Sequence, residues 1–162
     1  MYACAVTALV DVLRSANLIF GAVLVGGMIM EFALILPTQR QIPAADAARA
    51  FRIMSPIAWR YLPVCGALTV TSAIALLIVW HWYAFPTAVT GLTIAGLACF
   101  IPAIATNLGL YLRADRAARA WKPEDGEAEF HRLLERMAKL HTIRMVLFTT
   151  GYFCFVVAAV LD

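Results

Sequence analysis

Four long apolar blocks, separated by shorter polar segments, limit what this chain can fold into. It is 63% hydrophobic and only 14% charged, whereas charged residues make up about a quarter of an ordinary soluble domain. Each block is long enough to cross the hydrocarbon core of a bilayer as a helix, which takes about 20 apolar residues. The sequence therefore predicts an all-α integral membrane protein, a single domain over residues 1–162 built as a bundle of four transmembrane helices.

The boundaries of the blocks place the spans and two further helices. We expect the spans at residues 16–36, 57–80, 86–112 and 140–161. Between the first two spans, residues 44–54 have high helix propensity, and they predict a short helix at the membrane interface in the first cytoplasmic loop. Residues 127–139 carry apolar side chains at helical spacing, and they predict a helix that extends the last span on its cytoplasmic side.

The basic residues predict the orientation. The link between spans one and two carries four Arg residues between Arg40 and Arg60, and the link between spans three and four carries seven Lys or Arg residues between Arg113 and Lys139. The link between spans two and three, residues 81–85, carries none; we call it the Trp-rich link because Trp82 lies in it and Trp80 directly before it. Because Lys and Arg concentrate in cytoplasmic loops, we expect a multi-pass protein of the inner (cytoplasmic) membrane with both termini outside the cytoplasm. The basic residues border spans and form no nucleic-acid-reading motif, so the expected partner is the lipid bilayer and no nucleic acid.

Three of the predicted spans contain a strongly polar residue at similar depth. Glu31, Asn107 and Arg144 lie four to six residues inside the cytoplasmic ends of spans one, three and four, or about 6 to 9 Å at the helical rise. A charged side chain inside a bilayer is costly unless it is paired. We therefore predict a direct or one-water contact between Glu31 and Arg144, with Asn107 or Tyr111 adding a hydrogen bond.

Further polar residues lie close to these three. His141 and Tyr111 lie slightly nearer the cytoplasm, and Arg60 lies at the mouth of the second span. One interpretation is structural, since ion pairs and hydrogen bonds hold membrane helices together. The other is a polar pocket between the helices, open to the cytoplasmic leaflet, that binds a lipophilic small molecule.

The histidines and cysteines indicate no metal site. His131 and His141 are ten residues apart and do not share a helical face, and His81 belongs to the opposite side of the membrane. There is no HExxH, no CxxC and no phosphate-binding loop. The sequence thus predicts no metal and leaves open whether haem, flavin or another cofactor binds.

Three short motifs resemble a known family. The stretch Glu31–Pro37 (EFALILP), the spacing from Pro102 to Asn107, and residues 140–144 (LHTIR) are similar to the anthrone-oxygenase-like family, small four-helix membrane proteins long classed as a domain of unknown function. The resemblance covers about residues 21–161 and implies a four-helix bundle. It also implies, by analogy with some relatives, oxygenation of anthrones to anthraquinones. The chain departs from the family in the long loop 113–139 and in the Trp-rich link.

Two functions follow from these observations. The first is an oxygenase or other oxidoreductase acting on a lipophilic aromatic or quinone-like molecule. In it Glu31, His141 and Arg144 are the catalytic residues, and Asn107, Tyr111 and Arg60 bind the substrate. The alternative is a non-catalytic small subunit or assembly factor of a larger membrane complex, with another membrane protein or further copies of the chain as partners.

Overall fold

The computed structural model of the protein describes residues 2–83 and 87–161, with side chains for 6–81 and 87–161. Every regular element in these residues is a helix, and there is no strand. In chain order the elements are α1 (Tyr2–Met30), the π-helical turn π1 (Glu31–Ile35), α2 (Leu36–Gln39), α3 (Ala44–Tyr83), α4 (Thr87–Thr106), the π-helical turn π2 (Asn107–Tyr111), α5 (Leu112–Ala120), a 3-10 turn (Pro123–Asp125) and α6 (Glu127–Leu161). The segments α1-π1-α2 and α4-π2-α5 each form one rod, so the described chain is an all-α bundle of four rods, as predicted.

Each rod contains a stretch that is long and apolar enough to cross a membrane. We call these stretches spans 1 to 4: Val6–Gln39, Ala44–His81, Thr87–Ala120 and Glu127–Leu161. Large apolar side chains such as Ile19, Phe153 and Val160 lie exposed on the outside of the bundle. Water penalises such exposure and lipid does not, so the bundle has the surface of a multi-pass membrane protein.

One end of the bundle holds both the link from span 1 to span 2 and the link from span 3 to span 4. We call it the basic end, because residues 40–60 and 113–139 contribute most of the Arg and Lys. The helices extend further at this end than predicted. Span 3, for example, was expected to stop at residue 112 and continues to Ala120. A rod of this length rises about 51 Å, more than the roughly 30 Å of a hydrocarbon core. The first charged residue after an apolar block therefore does not mark the end of the helix.

The predicted short interfacial helix is not a separate element. A helix does begin at Ala44, as expected, but α3 runs without interruption to Tyr83. The first turns of α3 bury Ala44, Ala47, Ala48 and Phe51 in a cluster with residues of α5 and α6. Packing against these neighbours therefore holds the segment in line with span 2.

The predicted extension of the last span is confirmed. Gly126 has a positive φ of 83°, and α6 starts at the next residue and runs to Leu161. Phe130, Leu134 and Met137 are buried along one face, at the spacing expected of an amphipathic helix. They form the core that ties the basic end together.

The rods do not pack equally tightly. Spans 1 and 2 pack closely along each other, as do spans 3 and 4, whereas the contacts between spans 2 and 3 and between spans 1 and 4 are fewer. Spans 3 and 4 approach through glycines: a Cβ atom on Gly151 would lie 2.9 Å from the carbonyl oxygen of Gly96. The loose seam between spans 2 and 3 leaves room for a cavity.

Candidate functional site

Two π-helical turns, π1 in span 1 and π2 in span 3, border this cavity. Single π turns within α-helices are rare and are frequent at functional sites. Pro37 follows π1 by two residues, and its ring would clash with the carbonyl of Ala33 in a regular α-helix, so the wider turn relieves that clash. Glu31 is the first residue of π1, while Asn107 and Tyr111 are the first and last residues of π2.

The cavity has a volume of about 240 Å³, near the lower limit of ligand pockets, which start at about 300 Å³. Span 2 supplies most of its apolar wall, and the other spans supply most of its polar groups. The lining residues are Gly27, Glu31, Ile35, Gln39, Phe51, Met54, Ser55, Ala58, Trp59, Tyr61, Leu62, Pro63, Asn107, Tyr111, Asp115 and Arg144. An apolar wall with a few polar groups is the usual composition of a small-molecule site.

Glu31 is the centre of the polar groups. Its Oε1 accepts a hydrogen bond from the Tyr111 hydroxyl, and its Oε2 lies 3.3 Å from Nδ1 of His141. Its side chain retains 18% of its exposure, whereas Tyr111 is 5% exposed and His141 is fully buried. Glu31 and Tyr111 line the cavity, and His141 lies behind them, outside the lining.

The contact made by Nε2 of His141 determines which protons Nδ1 of the same ring can carry. Nε2 lies 2.8 Å from the backbone carbonyl oxygen of Met28. A carbonyl oxygen only accepts hydrogen bonds, so Nε2 carries a proton, and Nδ1 is free to take or give the proton of Glu31. A proton taken up by the Glu31 carboxylate can therefore pass to Nδ1 of His141 and back.

Arg144 does not form the predicted direct ion pair with Glu31. Its guanidinium carbon lies 3.8 Å from the centroid of the Tyr111 ring, and Nη2 lies 3.0 Å from Sδ of Met28. The two oxygens of Glu31 are turned to Tyr111 and His141, so Tyr111 contacts both charged residues. Of the two predicted forms of the contact, the direct one is therefore absent and the one bridged by a single water stays a prediction, while the predicted hydrogen bond from Tyr111 to Glu31 is confirmed.

The guanidinium also keeps unused donors. Arg144 is 1% exposed, and its Nε and Nη1 have no hydrogen-bond partner among the described residues. A buried charged group without partners carries a high desolvation penalty. An anionic or oxygen-bearing group in the cavity would remove that penalty.

Two further residues predicted to bind substrate differ in position. Asn107 lines the cavity, and its buried Oδ1 has no partner in the described part of the chain. Arg60 is exposed and is absent from the cavity wall. It lies five residues after Ser55, or about 140° around the helix, so its side chain leaves the opposite face of span 2.

The basic end of the cavity holds polar residues that the sequence analysis missed. Asp115 is 1% exposed; its Oδ1 accepts a 2.5 Å hydrogen bond from Ser55, and its Oδ2 lies 2.8 Å from Nη2 of Arg119. Gln39 is 4% exposed and also lines this end. Helical spacing contained the signal, because Asn107, Tyr111 and Asp115 form an i, i+4, i+8 row. Ending span 3 at residue 112 left Asp115 outside it.

The donor set offers little for a metal. Within residues 2–83 and 87–161, no group of three or more His, Cys, Asp or Glu side chains is arranged to hold an ion. Glu31 and His141 contribute two such side chains, and their neighbours Tyr111 and Arg144 are a phenol and a cation. This combination suits proton transfer and anion binding better than metal ligation.

No family model, no curated protein and no solved structure matches this chain.

Proposed function

We propose that the protein is a membrane oxygenase or other oxidoreductase whose cavity binds a lipophilic aromatic molecule with an ionisable hydroxyl, enol or quinone-like group. One observation carries the proposal: Arg144 is buried beside the cavity with two unpartnered nitrogens, next to a Glu–His pair that can take up a proton. Because the cavity lies within the spans and is largely apolar, it suits a lipophilic ligand. Because a cation, Arg144, lies beside a base, Glu31, the cavity favours ligands that lose a proton when they react.

Each polar residue then has a role. The carboxylate of Glu31 accepts the proton of the bound molecule and exchanges it with Nδ1 of His141. Arg144 stabilises the resulting phenolate or enolate with the donors left free at Nε and Nη1. Asn107 binds a neighbouring hydroxyl through Oδ1, and Tyr111 keeps Glu31 and Arg144 in their relative positions.

The resemblance to the anthrone-oxygenase-like family adds a specific reaction to this proposal. The residues that carry the resemblance include Glu31, Asn107, His141 and Arg144, which meet at or directly behind one cavity. In the reaction an anthrone reacts with O2: its methylene carbon loses two hydrogens and gains one oxygen atom as a quinone carbonyl, and the second oxygen atom leaves as water. Deprotonation at Glu31 would give the electron-rich enolate that reacts with O2, with any cofactor left unspecified.

We further propose that the basic end faces the cytoplasm in the inner membrane and that both termini lie outside. The Lys and Arg residues of residues 40–60 and 113–139 support this orientation through their known preference for cytoplasmic loops. The cavity then opens within the cytoplasmic leaflet.

The test uses the full chain in lipid nanodiscs, with anthrone as the substrate and with anthraquinone absorbance and O2 uptake as readouts. We expect the wild type to exceed the rate of empty nanodiscs, and Glu31→Gln and Arg144→Gln to lose at least about tenfold of that excess, as general-base or oxyanion loss does. Arg113→Gln, an exposed arginine outside the cavity, is the matched control and should keep the full rate. Unaltered anthrone with the wild type, or full turnover in both variants, would contradict the proposal. The absorption spectrum of the same sample shows whether haem or flavin is bound.

The alternative is a non-catalytic subunit, and one observation favours it. A Cβ atom added to Gly26, Gly91 or Gly109 would meet nothing within 4 Å, so these glycines leave room for a helix of another protein to approach closely. Isolation at fixed stoichiometry with a larger membrane complex, combined with no turnover of anthrone, would establish this function instead.

A further inference from the structure

We infer that the molecule bound in the cavity carries a second polar group, a hydrogen-bond donor, at its end remote from Arg144, and that Gln39 recognises it. The inference rests on the proposed function, since it specifies the ligand of the same cavity.

Two parallel rows of side chains give the cavity two polar ends. Span 1 presents Glu31, Ile35 and Gln39, and span 3 presents Asn107, Tyr111 and Asp115, each at i, i+4 and i+8. In a regular α-helix such a row drifts by about 80°. Each residue of a π turn advances through a smaller angle, so π1 and π2 offset the drift and keep each row facing the cavity.

The rows are about two helical turns long, or about 11 Å. Between the ends the lining is apolar, with Ile35 from span 1 and with Ala58 and Trp59 from span 2, three and four residues after Ser55. Two or three fused rings have about this length, so a ligand of that size held at Arg144 reaches the level of Gln39.

Gln39 is the free acceptor at that end. Of the oxygens of the neighbouring Asp115, Oδ1 accepts a hydrogen bond from Ser55, and Oδ2, which has no hydrogen bond among the described residues, is ion-paired with the Arg119 guanidinium at 2.8 Å. By contrast, Oε1 of Gln39 is buried and has no hydrogen-bond partner among the described residues. Buried acceptors are normally satisfied, so a donor on the ligand is the group that this oxygen lacks.

The experiment compares two probes, 2-hydroxyanthracene and 2,6-dihydroxyanthracene, which differ only in a hydroxyl at the far end of three fused rings. Binding to the full chain in nanodiscs is followed by quenching of tryptophan fluorescence, because Trp59 lines the cavity. The quantity of interest is the ratio of the two dissociation constants, compared between variants so that partition into lipid cancels.

We expect the wild type to prefer the diol by about fivefold, the value of one ordinary hydrogen bond. Gln39→Met should abolish the preference, and Gln39→Glu, which keeps an acceptor, should retain it. Gln41→Met makes the same change at an exposed site two residues away and should behave as wild type.

Equal affinities for both probes in the wild type, or a preference that survives Gln39→Met, would overturn the assignment of Gln39 and leave the cavity as a binding site. Failure of both probes to bind the wild type would overturn the proposed function and this inference together.

Discussion

The guanidinium of Arg144 lies against the ring face of Tyr111, 3.8 Å from its centroid, while the hydroxyl of the same ring donates to Glu31. One side chain thus contacts a buried cation through its π face and a carboxylate through its hydroxyl. The two opposite charges are connected without touching, and the donors of Arg144 at Nε and Nη1 are left for a third group. A direct Glu31–Arg144 pair would have consumed them.

Substitutions of Tyr111 separate its two contacts. Tyr111→Phe removes the hydrogen bond and keeps the ring, so we expect a loss of about 2 kcal/mol in the free energy of unfolding, typical of a bond to a charged group. Tyr111→Leu also removes the cation–π contact and should cost about 2 kcal/mol more. Denaturant titration in a mild detergent measures both, and equal stability of the two variants would show that the ring face contributes nothing.

Double-mutant cycles distinguish the observed contacts from the predicted ion pair. Because Glu31 contacts Tyr111 and not Arg144, we expect a coupling energy of about 1 to 2 kcal/mol for Glu31→Gln with Tyr111→Phe. The cycle of Glu31→Gln with Arg144→Gln should give a clearly smaller value. The reverse order would mean that carboxylate and guanidinium pair directly in the membrane, as the sequence analysis expected.

The sequence predicted at which level of the spans the polar residues lie, but not in which direction around each helix axis their side chains point. Counting residues from the span ends placed Glu31, Asn107 and Arg144 at one level, and the structure brings all three to one cavity. Their directions depend on how each rod is rotated in the bundle, which counting does not supply. For this reason Arg60, at a suitable depth, points away from the cavity.

Other features of the structure could not be predicted from the sequence either. A π turn alters the hydrophobic period by a single residue, which is too little to detect in an apolar segment, so the sequence does not predict π1 or π2. Ending spans at the first charge also cut Asp115 from the row that begins at Asn107. Apolar block length was enough to predict the four rods, because it depends on bilayer thickness and not on packing.

The packed core at the basic end should contribute much of the stability. Phe130 is fully buried, and its ring centroid lies 5.0 Å from that of Trp121. We expect Phe130→Ala to lower the free energy of unfolding by about 3 to 5 kcal/mol, the usual cost of such a truncation. Phe153→Ala, at a site on the same helix that is 65% exposed, is the control and should cost far less. Similar losses for both, in thermal or denaturant unfolding, would argue against a packed core at this end.

The close approach of spans 3 and 4 depends on glycine at position 151. A Cβ atom there would lie 2.6 Å from Cδ2 of Phe100 and 2.9 Å from the backbone oxygen of Gly96. The ring can rotate slightly, but the backbone oxygen can move only if one helix shifts against the other. We therefore expect Gly151→Ala to destabilise the bundle by about 1 to 3 kcal/mol, as overpacking does.

Gly91→Ala makes the same change in α4 where nothing lies within 4 Å, and it should remain within about 1 kcal/mol of wild type because alanine is the better helix former. Unfolding of the three proteins in one detergent measures the difference, and a Gly151→Ala protein as stable as Gly91→Ala would show that these two spans do not pack as tightly as described.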